Sequence, residues 1–214
     1  MIQDTKQKLL DTAERLFGQQ GYDATSLRQI IAEAGVNLAS VHYHFGSKEE
    51  LLDGVVLRRA GPVNAARIAM LDRLEAESGP APPALERVLE SFLLPMAEKA
   101  DQHPQFVKLM GRMYAEGMMP AITRKHFHMV ASRFVGTLRK ALPELPEEEL
   151  GWRIHFMIGA MAHAMCGVPL FPTLADVTAA GLTGDFRTRI DRLLTFLSAG
   201  FRAPVPKNAP VAKT

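Results

Sequence analysis

The chain has 214 residues, 47% of them apolar and 22% charged, the make-up of a protein that buries a core. Lys and Arg number 25 against 23 Asp and Glu, and this net charge of +2 excludes a polycation or an acidic tail. A single cysteine, Cys166, excludes an intrachain disulfide and a Cys-rich metal fold. No apolar run of the kind that opens a secretory leader occurs in Met1–Lys6. The longest apolar stretch, Ile154–Phe171, carries His155 and His163 and breaks at Gly167 and Pro169, too short and interrupted for a membrane span. The expectation is a soluble cytoplasmic protein of one or two domains.

Helical periodicity runs almost throughout. Leu9, Ala13, Leu16 and Phe17 follow the i, i+4, i+7, i+8 spacing of one helix face, and Gly21 stops that helix. Leu27, Ile30, Ile31 and Ala34 make a shorter stripe that ends at Gly35. A third short helix runs from Leu38 to about His44. Ser26-Leu27-Arg28-Gln29 and Ser47-Lys48-Glu49-Glu50 have the S-x-x-Q/E form of a capping box, and Asn37 is a natural N-cap. A long helix starts at Lys48, with Gly61-Pro62 expected to kink it. Beyond the loop Ser78–Pro83, helices are predicted at 84–101, 104–117, 120–142, 146–166 and 185–202, with Pro104, Pro120 and Pro146 at their starts. Gly167–Gly184 reads as a loop and Ala203–Thr214 as a Pro-rich flexible tail. No stretch alternates as a strand does, so the predicted class is all-α.

The first three helices have the lengths and the glycine turn of a helix-turn-helix in a three-helix bundle. In such a unit Val36, Val41 and Phe45 face inward, leaving Leu38, Ala39, Ser40, His42 and Tyr43 outward. The stretch AERLFGQQGYDATSLRQIIAEAGVNLASVHYHFGSKEELL resembles the DNA-binding domain of TetR-type transcriptional repressors over residues 5–55, without gaps. The resemblance implies a homodimer with a DNA-binding domain at 1–47, a ligand-binding and dimerisation domain at 48–202 and a tail at 203–214. It implies that Thr25, Tyr43 and Lys48 hold phosphates of a double-stranded operator, and that Leu38, Ala39, Ser40 and His42 face the major groove. Hydroxyls, lysines and helix N-terminal amides are ordinary phosphate partners, and small apolar groups or an imidazole suit base edges. Ser26 serves as a cap on that same surface, while Arg28 either pairs within the head or touches a phosphate. Leu38 stands where the family often carries lysine or proline, so no base preference follows. Residues 1–60 hold seven Lys and Arg against eight Asp and Glu, so DNA affinity must come from the placement of a few groups.

The rest of the chain is rich in methionine. Nine of the eleven Met lie between Met96 and Met165, interleaved with Phe92, Phe106, Phe127, Phe134 and Phe156. Methionine adapts its shape to varied ligands, which points to an apolar pocket lined by Phe92, Met96, Phe106, Met110, Met113, Phe127, Phe134, Phe156 and Met161. WRIHFMIGAMAHAMCG at 152–167 is similar to the branch of the family that responds to fatty acids, which implies a fatty acid or acyl thioester as effector. Arg112, His126, His128, Arg153 and His155 are candidates to receive its anionic head. Two alternatives stay open: a repressor of the same fold that senses an aromatic or cationic drug-like ligand, and a helical lipid carrier or adaptor that binds no DNA. Neither His163 with Cys166 nor His126 with His128 has a pattern that makes a metal site, and no cofactor is expected. P-loop, dinucleotide, G-x-S-x-G and H-E-x-x-H motifs are all lacking, so no enzyme is expected. Phe186, Ile190, Leu193, Leu194, Leu197 and Phe201 form an apolar stripe that, with helix 146–166, would make a four-helix dimer interface through Ile190 and Leu194.

Overall fold

A computed structural model of the chain describes residues 2–100, 102–166 and 185–206. The expected loop Gly167–Gly184 and the tail beyond Pro206 lie outside the described residues, as does the side chain of Cys166. The elements in order are α1 (Ile2–Gln20), α2 (Leu27–Ala34), α3 (Leu38–His44), α4 (Lys48–Ser78), α5 (Leu85–Ala100), α6 (Pro104–Ala115), α7 (Met119–Ile122), α8 (His128–Ala141), α9 (Glu147–Cys166) and α10 (Phe186–Arg202). No strand occurs among the described residues.

The first helix buries Leu9, Ala13, Leu16 and Phe17, the stripe the spacing predicts, against Ile30, Val41 and Phe45 of the next two helices and the first turns of α4. At 31 residues and 1.5 Å per residue, α4 is about 46 Å long, enough to run from this head through the rest of the chain. It passes unbroken through Gly61-Pro62, where a kink is expected from the sequence. Ala60, Val63 and Arg67 are buried on either side of the proline, so packing holds the helix across the lost donor. Around α4 pack α5 and α8, and α9 and α10 close the far side against α5 and α6.

The helix expected at 120–142 is three pieces. Between α7 and α8, Thr123–Phe127 forms a single π-helical turn, which inserts one residue into the helical ladder. Its neighbour α4 holds it there: Asn64 Nδ2 donates to the His126 carbonyl at 2.9 Å, His126 Nε2 lies 2.8 Å from Asp53 Oδ1, and Lys125 pairs with Asp53. Ile190, Leu193, Leu197 and Phe201 of α10 are buried within the subunit, facing α5 and α9, and Leu194 is half-buried against the same core. Ile190 therefore fills the chain's own core and is not at a surface where the expected interface could use it, whereas Leu194 keeps part of its side chain outside that core. The outer face carries Trp152, Phe156 and Phe196 instead, 52%, 63% and 67% exposed.

Candidate nucleic-acid interface and effector cavity

Local hydrogen bonds fix α3 on the surface. Ser26 Oγ accepts from Gln29 N at 3.1 Å and starts α2, while the Gln29 side chain turns to Glu33, so the first capping box is half made. Gly35, at φ 64°, is the left-handed residue that ends α2 and lets its N–H bond back into the last turn. Asn37 Oδ1 accepts from Ser40 N at 2.8 Å and starts α3 two residues later. Val41 and Phe45 are buried and Val36 half-buried, as the pattern predicts.

This leaves a coherent outer strip. Leu38 is 55% and Tyr43 76% exposed, and Ala39 and His42 are exposed beside them. The helix contains no acidic residue. Four of the eight acids in residues 1–60 are paired with bases: Glu33 with Arg15, Asp11 and Glu14 with Arg58, and Asp53 with Lys125. The near-neutral count of residues 1–60 therefore includes acids already paired with bases, while Asp23, Glu49 and Glu50 stay exposed. Lys48 stands at the N-terminus of α4 with its Nζ 4.0 Å from the centre of the Tyr22 ring. Burial and a hydrogen bond to Glu49 push the Tyr22 hydroxyl up to about 12, so it stays a neutral donor. Arg28 is exposed, as is Ser26. Two expected contacts are altered. Thr25 is fully buried and its hydroxyl donates to the Gly21 carbonyl at 2.7 Å, so this side chain locks the α1–α2 turn and presents nothing to a phosphate. Ser40 Oγ donates to Asn37 Oδ1 at 2.9 Å and keeps only its acceptor lone pairs for a base.

Behind the head lies a cavity of about 340 Å³ between α4, α5, α6, α8 and α9. Six of the expected residues line it: Phe92, Met96, Phe106, Met110, Phe127 and Met161. Val63, Met119, Ile154, Ile158 and Met165 complete an apolar wall. The charged lining is Arg59, Arg67 and Lys99, with no Asp or Glu among the lining residues.

Five expected residues sit elsewhere. Arg112 is drawn away by the head, donating from Nη2 to the Gln19 carbonyl at 2.9 Å. Met113 is fully buried in the core rather than in the cavity wall. Phe134 lies behind the wall, its ring 4.5 Å from that of Phe92. His155 and Phe156 are on the exposed outer face of α9, where Phe156 stacks on Trp152 at 5.8 Å. The other head-group candidates are also engaged or remote. Arg153 is 8% exposed and donates to the carbonyls of Phe201 and Ala203 at 2.7 and 2.8 Å, which fastens α9 to the end of α10. His126 is held by Asp53, where burial pushes the carboxyl up but hydrogen bonds from Lys125 and His126 outweigh it and hold it below the usual aspartate range. His128 is exposed beside a shallow surface depression.

The helix α6 connects the two regions. Its Phe106, Val107 and Met110 line the cavity, and its opposite side packs on α1. The approach is close: a Cβ on Gly18 would lie 2.5 Å from the Gln105 carbonyl oxygen. A second link crosses from α4. Glu14, buried on α1, accepts from Arg58 Nη2 at 2.6 Å and Arg59 Nε at 2.7 Å, and Arg59 Nη1 lies 3.2 Å from His103 Nε2 on the cavity rim. Burial and the Arg59 charge pull the His103 pKa down.

Residues 9–55 match the family model described as bacterial regulatory proteins, tetR family, and residues 86–200 match that of the tetracyclin repressor-like C-terminal domain. The HTH-type transcriptional regulator AcrR of Shigella flexneri is 43% identical over 53 residues, 25% of this chain and 25% of that protein. BetI of Rhizobium meliloti (strain 1021), also an HTH-type transcriptional regulator, is 31% identical over 141 residues, 65% of each. The chain thus covers a quarter of AcrR and just under two thirds of BetI. Among solved structures, HlyIIR, a hemolysin II transcriptional regulator, superposes with a TM-score of 0.59 at 19% identity, over 92% of this chain and 99% of that one. A putative tetR family regulator from Shewanella sp. PV-4 gives 0.62 at 20% identity, over 90% and 95%. These likenesses carry the fold over nearly the whole described chain.

Proposed function

The chain belongs to the TetR family of bacterial regulatory proteins, and on that premise we propose that it is a cytoplasmic repressor that leaves its operator when a small apolar effector fills the cavity. Members of the family are transcriptional regulators and not enzymes. On this reading residues 1–47 bind DNA and 48–202 bind effector and partner. Tyr43, Lys48, Arg28 and the capped helix starts at Ser26 and Ser47 meet phosphates, and Leu38, Ala39, Ser40 and His42 meet base edges. Two copies pair through the outer face of α9 and α10, where Trp152, Phe156 and Phe196 leave apolar surface that an isologous contact would cover.

The observation that carries the reading is the double engagement of α6, with one side on the cavity and the other on α1. An effector that favours one seating of α6 biases the position of the head, and it releases DNA only by the difference in its affinity for the two seatings. The lining supports a fatty acid or acyl thioester: methionines follow the bends of a flexible tail, and three basic residues with no acid disfavour a cationic ligand. The test is a gel shift with DNA from upstream of the protein's own gene, followed by titration with fatty acids of increasing length. Retarded DNA, released most strongly at an intermediate length, supports the reading. DNA left unshifted by the apo protein refutes it in favour of a carrier or adaptor.

A further inference from the structure

We infer that Arg67 receives the head group of the effector, and that this group is a free carboxylate rather than the neutral carbonyl of a thioester. The inference rests on the effector cavity proposed above and narrows it to one ligand class. Arg67 sits midway along α4, 3% exposed, in the cavity wall. Its Nε donates to the Phe92 carbonyl at 2.8 Å and its Nη1 to Asn64 Oδ1 at 3.2 Å. The guanidinium lies 4.0 Å from the centre of the Phe92 ring. Both acceptors are neutral, and among the described residues no carboxylate lies within ion-pair distance of it.

A buried cation without an anion is costly, which is why buried charges are ordinarily paired. The other deeply buried arginine obeys that rule: Arg153 has Glu149 at 3.3 Å. The remaining bases of the cavity are already served. Arg59 is neutralised by Glu14 at 2.7 Å, Lys99 is exposed to water, and His103 is kept neutral by burial and its cationic neighbours. Burial draws Arg67 down only to about 10, so it remains a cation at neutral pH.

Guanidinium N–H groups left without protein acceptors form a fork that matches the two oxygens of a carboxylate. Once the acid is seated there, its tail meets Phe92, Met96, Phe127 and Met161 of the apolar wall. A thioester offers this fork one neutral oxygen and carries its charges on a bulky nucleotide. The cavity of about 340 Å³ is at the small end of ligand pockets, which run from roughly 300 to 1,000 Å³. It suits the acid better than the whole conjugate.

Calorimetric titration of the full chain with dodecanoate, methyl dodecanoate and dodecanoyl-coenzyme A tests this. Wild type is expected to hold the acid roughly tenfold or more tighter than the ester or the thioester, the worth of a charge-assisted hydrogen bond. Arg67→Met should hold acid and ester about equally, with the ester affinity of wild type. Arg67→Lys, which keeps the charge but not the fork, should retain part of the preference. A wild type that binds ester or thioester as tightly as acid overturns the ligand class without recourse to any variant. A folded Arg67→Met protein that keeps the full preference overturns the residue. Operator release is read separately: acid binding through Arg67 with no release of DNA upholds the inference and refutes the repressor reading, and release by acid and ester alike does the reverse.

Discussion

Replacement of Glu14 by alanine tests the bridge between head and cavity. The carboxylate is 7% exposed and accepts from Arg58 at 2.6 Å and Arg59 at 2.7 Å, whose side chains are only 17% and 21% exposed. Removing one partner of a buried pair costs about 3–5 kcal/mol, because the cations stay behind without compensation. Some compensation remains here. Arg58 keeps Asp11 at 2.7 Å and Gln7 at 3.2 Å, and Arg59 keeps His103 at 3.2 Å. The expected loss is therefore about 2–3 kcal/mol, a fall in Tm on the order of 5–10 °C for a chain of this size. Glu14→Gln keeps an acceptor but no charge and should lose about 1–2 kcal/mol. Asp11→Ala serves as the control: its carboxylate is 66% exposed, and it should cost under about 1 kcal/mol. Urea unfolding followed by circular dichroism gives all three values. A Glu14→Ala loss below about 1 kcal/mol would show that water reaches both guanidiniums and that the bridge is not a buried one.

Phe196→Glu, on the outer face of α10, should give a folded monomer by light scattering, whereas Ile190→Glu, fully buried within the subunit, should fail to fold; a dimeric Phe196→Glu would place the interface elsewhere. Gly18→Ala should destabilise by about 1–3 kcal/mol, since the new methyl meets backbone rather than a side chain that can turn aside, and an unchanged urea midpoint would mean that α1 and α6 are not in contact. His103 has its pKa lowered below the usual histidine value, first by burial and then by Arg59, against a smaller opposing effect of Glu14. Its contribution to stability is therefore complete above about pH 6.5 and is lost as pH falls through the lowered folded value. The difference in urea midpoint between wild type and His103→Gln should shrink between pH 7.5 and 5, and a difference that stays constant would contradict the shift.

What could be read from the sequence was what depends on neighbours along the chain. The lengths of α2 and α3, their caps at Ser26 and Asn37 and the turn at Gly35 follow from residues within four positions of each other, and they stand as expected. Of the nine Met and Phe expected in a pocket, six line the cavity, while Met113 and Phe134 fill the core and Phe156 lies on the outer face, because composition does not say which apolar side chain faces a hollow. Contacts between distant helices were not legible. Arg112 reads as a pocket base until α6 lies against Gln19. Thr25 is the local exception, since the carbonyl it donates to, Gly21, is only four residues back, yet its hydroxyl reads as free in the sequence. The π turn at Thr123–Phe127 is held by Asp53 and Asn64, more than fifty residues away, so the local pattern gave one unbroken helix.

Arg67 is a different case, since the signal was present and lies in α4 itself. Ala60, Val63, Leu71 and Leu74 are the buried face of that helix, and Arg67 falls between Val63 and Leu71 at steps of four. A charged residue at a core step breaks the pattern that the surrounding residues keep, and such breaks gather at functional sites. A structural arginine at that position would have an acid to pair with, either on its own helix, as Arg153 has Glu149, or across helices, as Arg58 and Arg59 have Glu14. The residues at i±3 and i±4 from Arg67 are Val63, Asn64, Met70 and Leu71, none of which carries a charge. The helix alone therefore leaves the cation unanswered, and among the described residues the fold answers it with two neutral acceptors. On the repressor reading proposed above, the effector-free cavity carries an electrostatic deficit that an anion relieves, and that relief releases DNA only as far as the acid prefers one seating of α6 over the other.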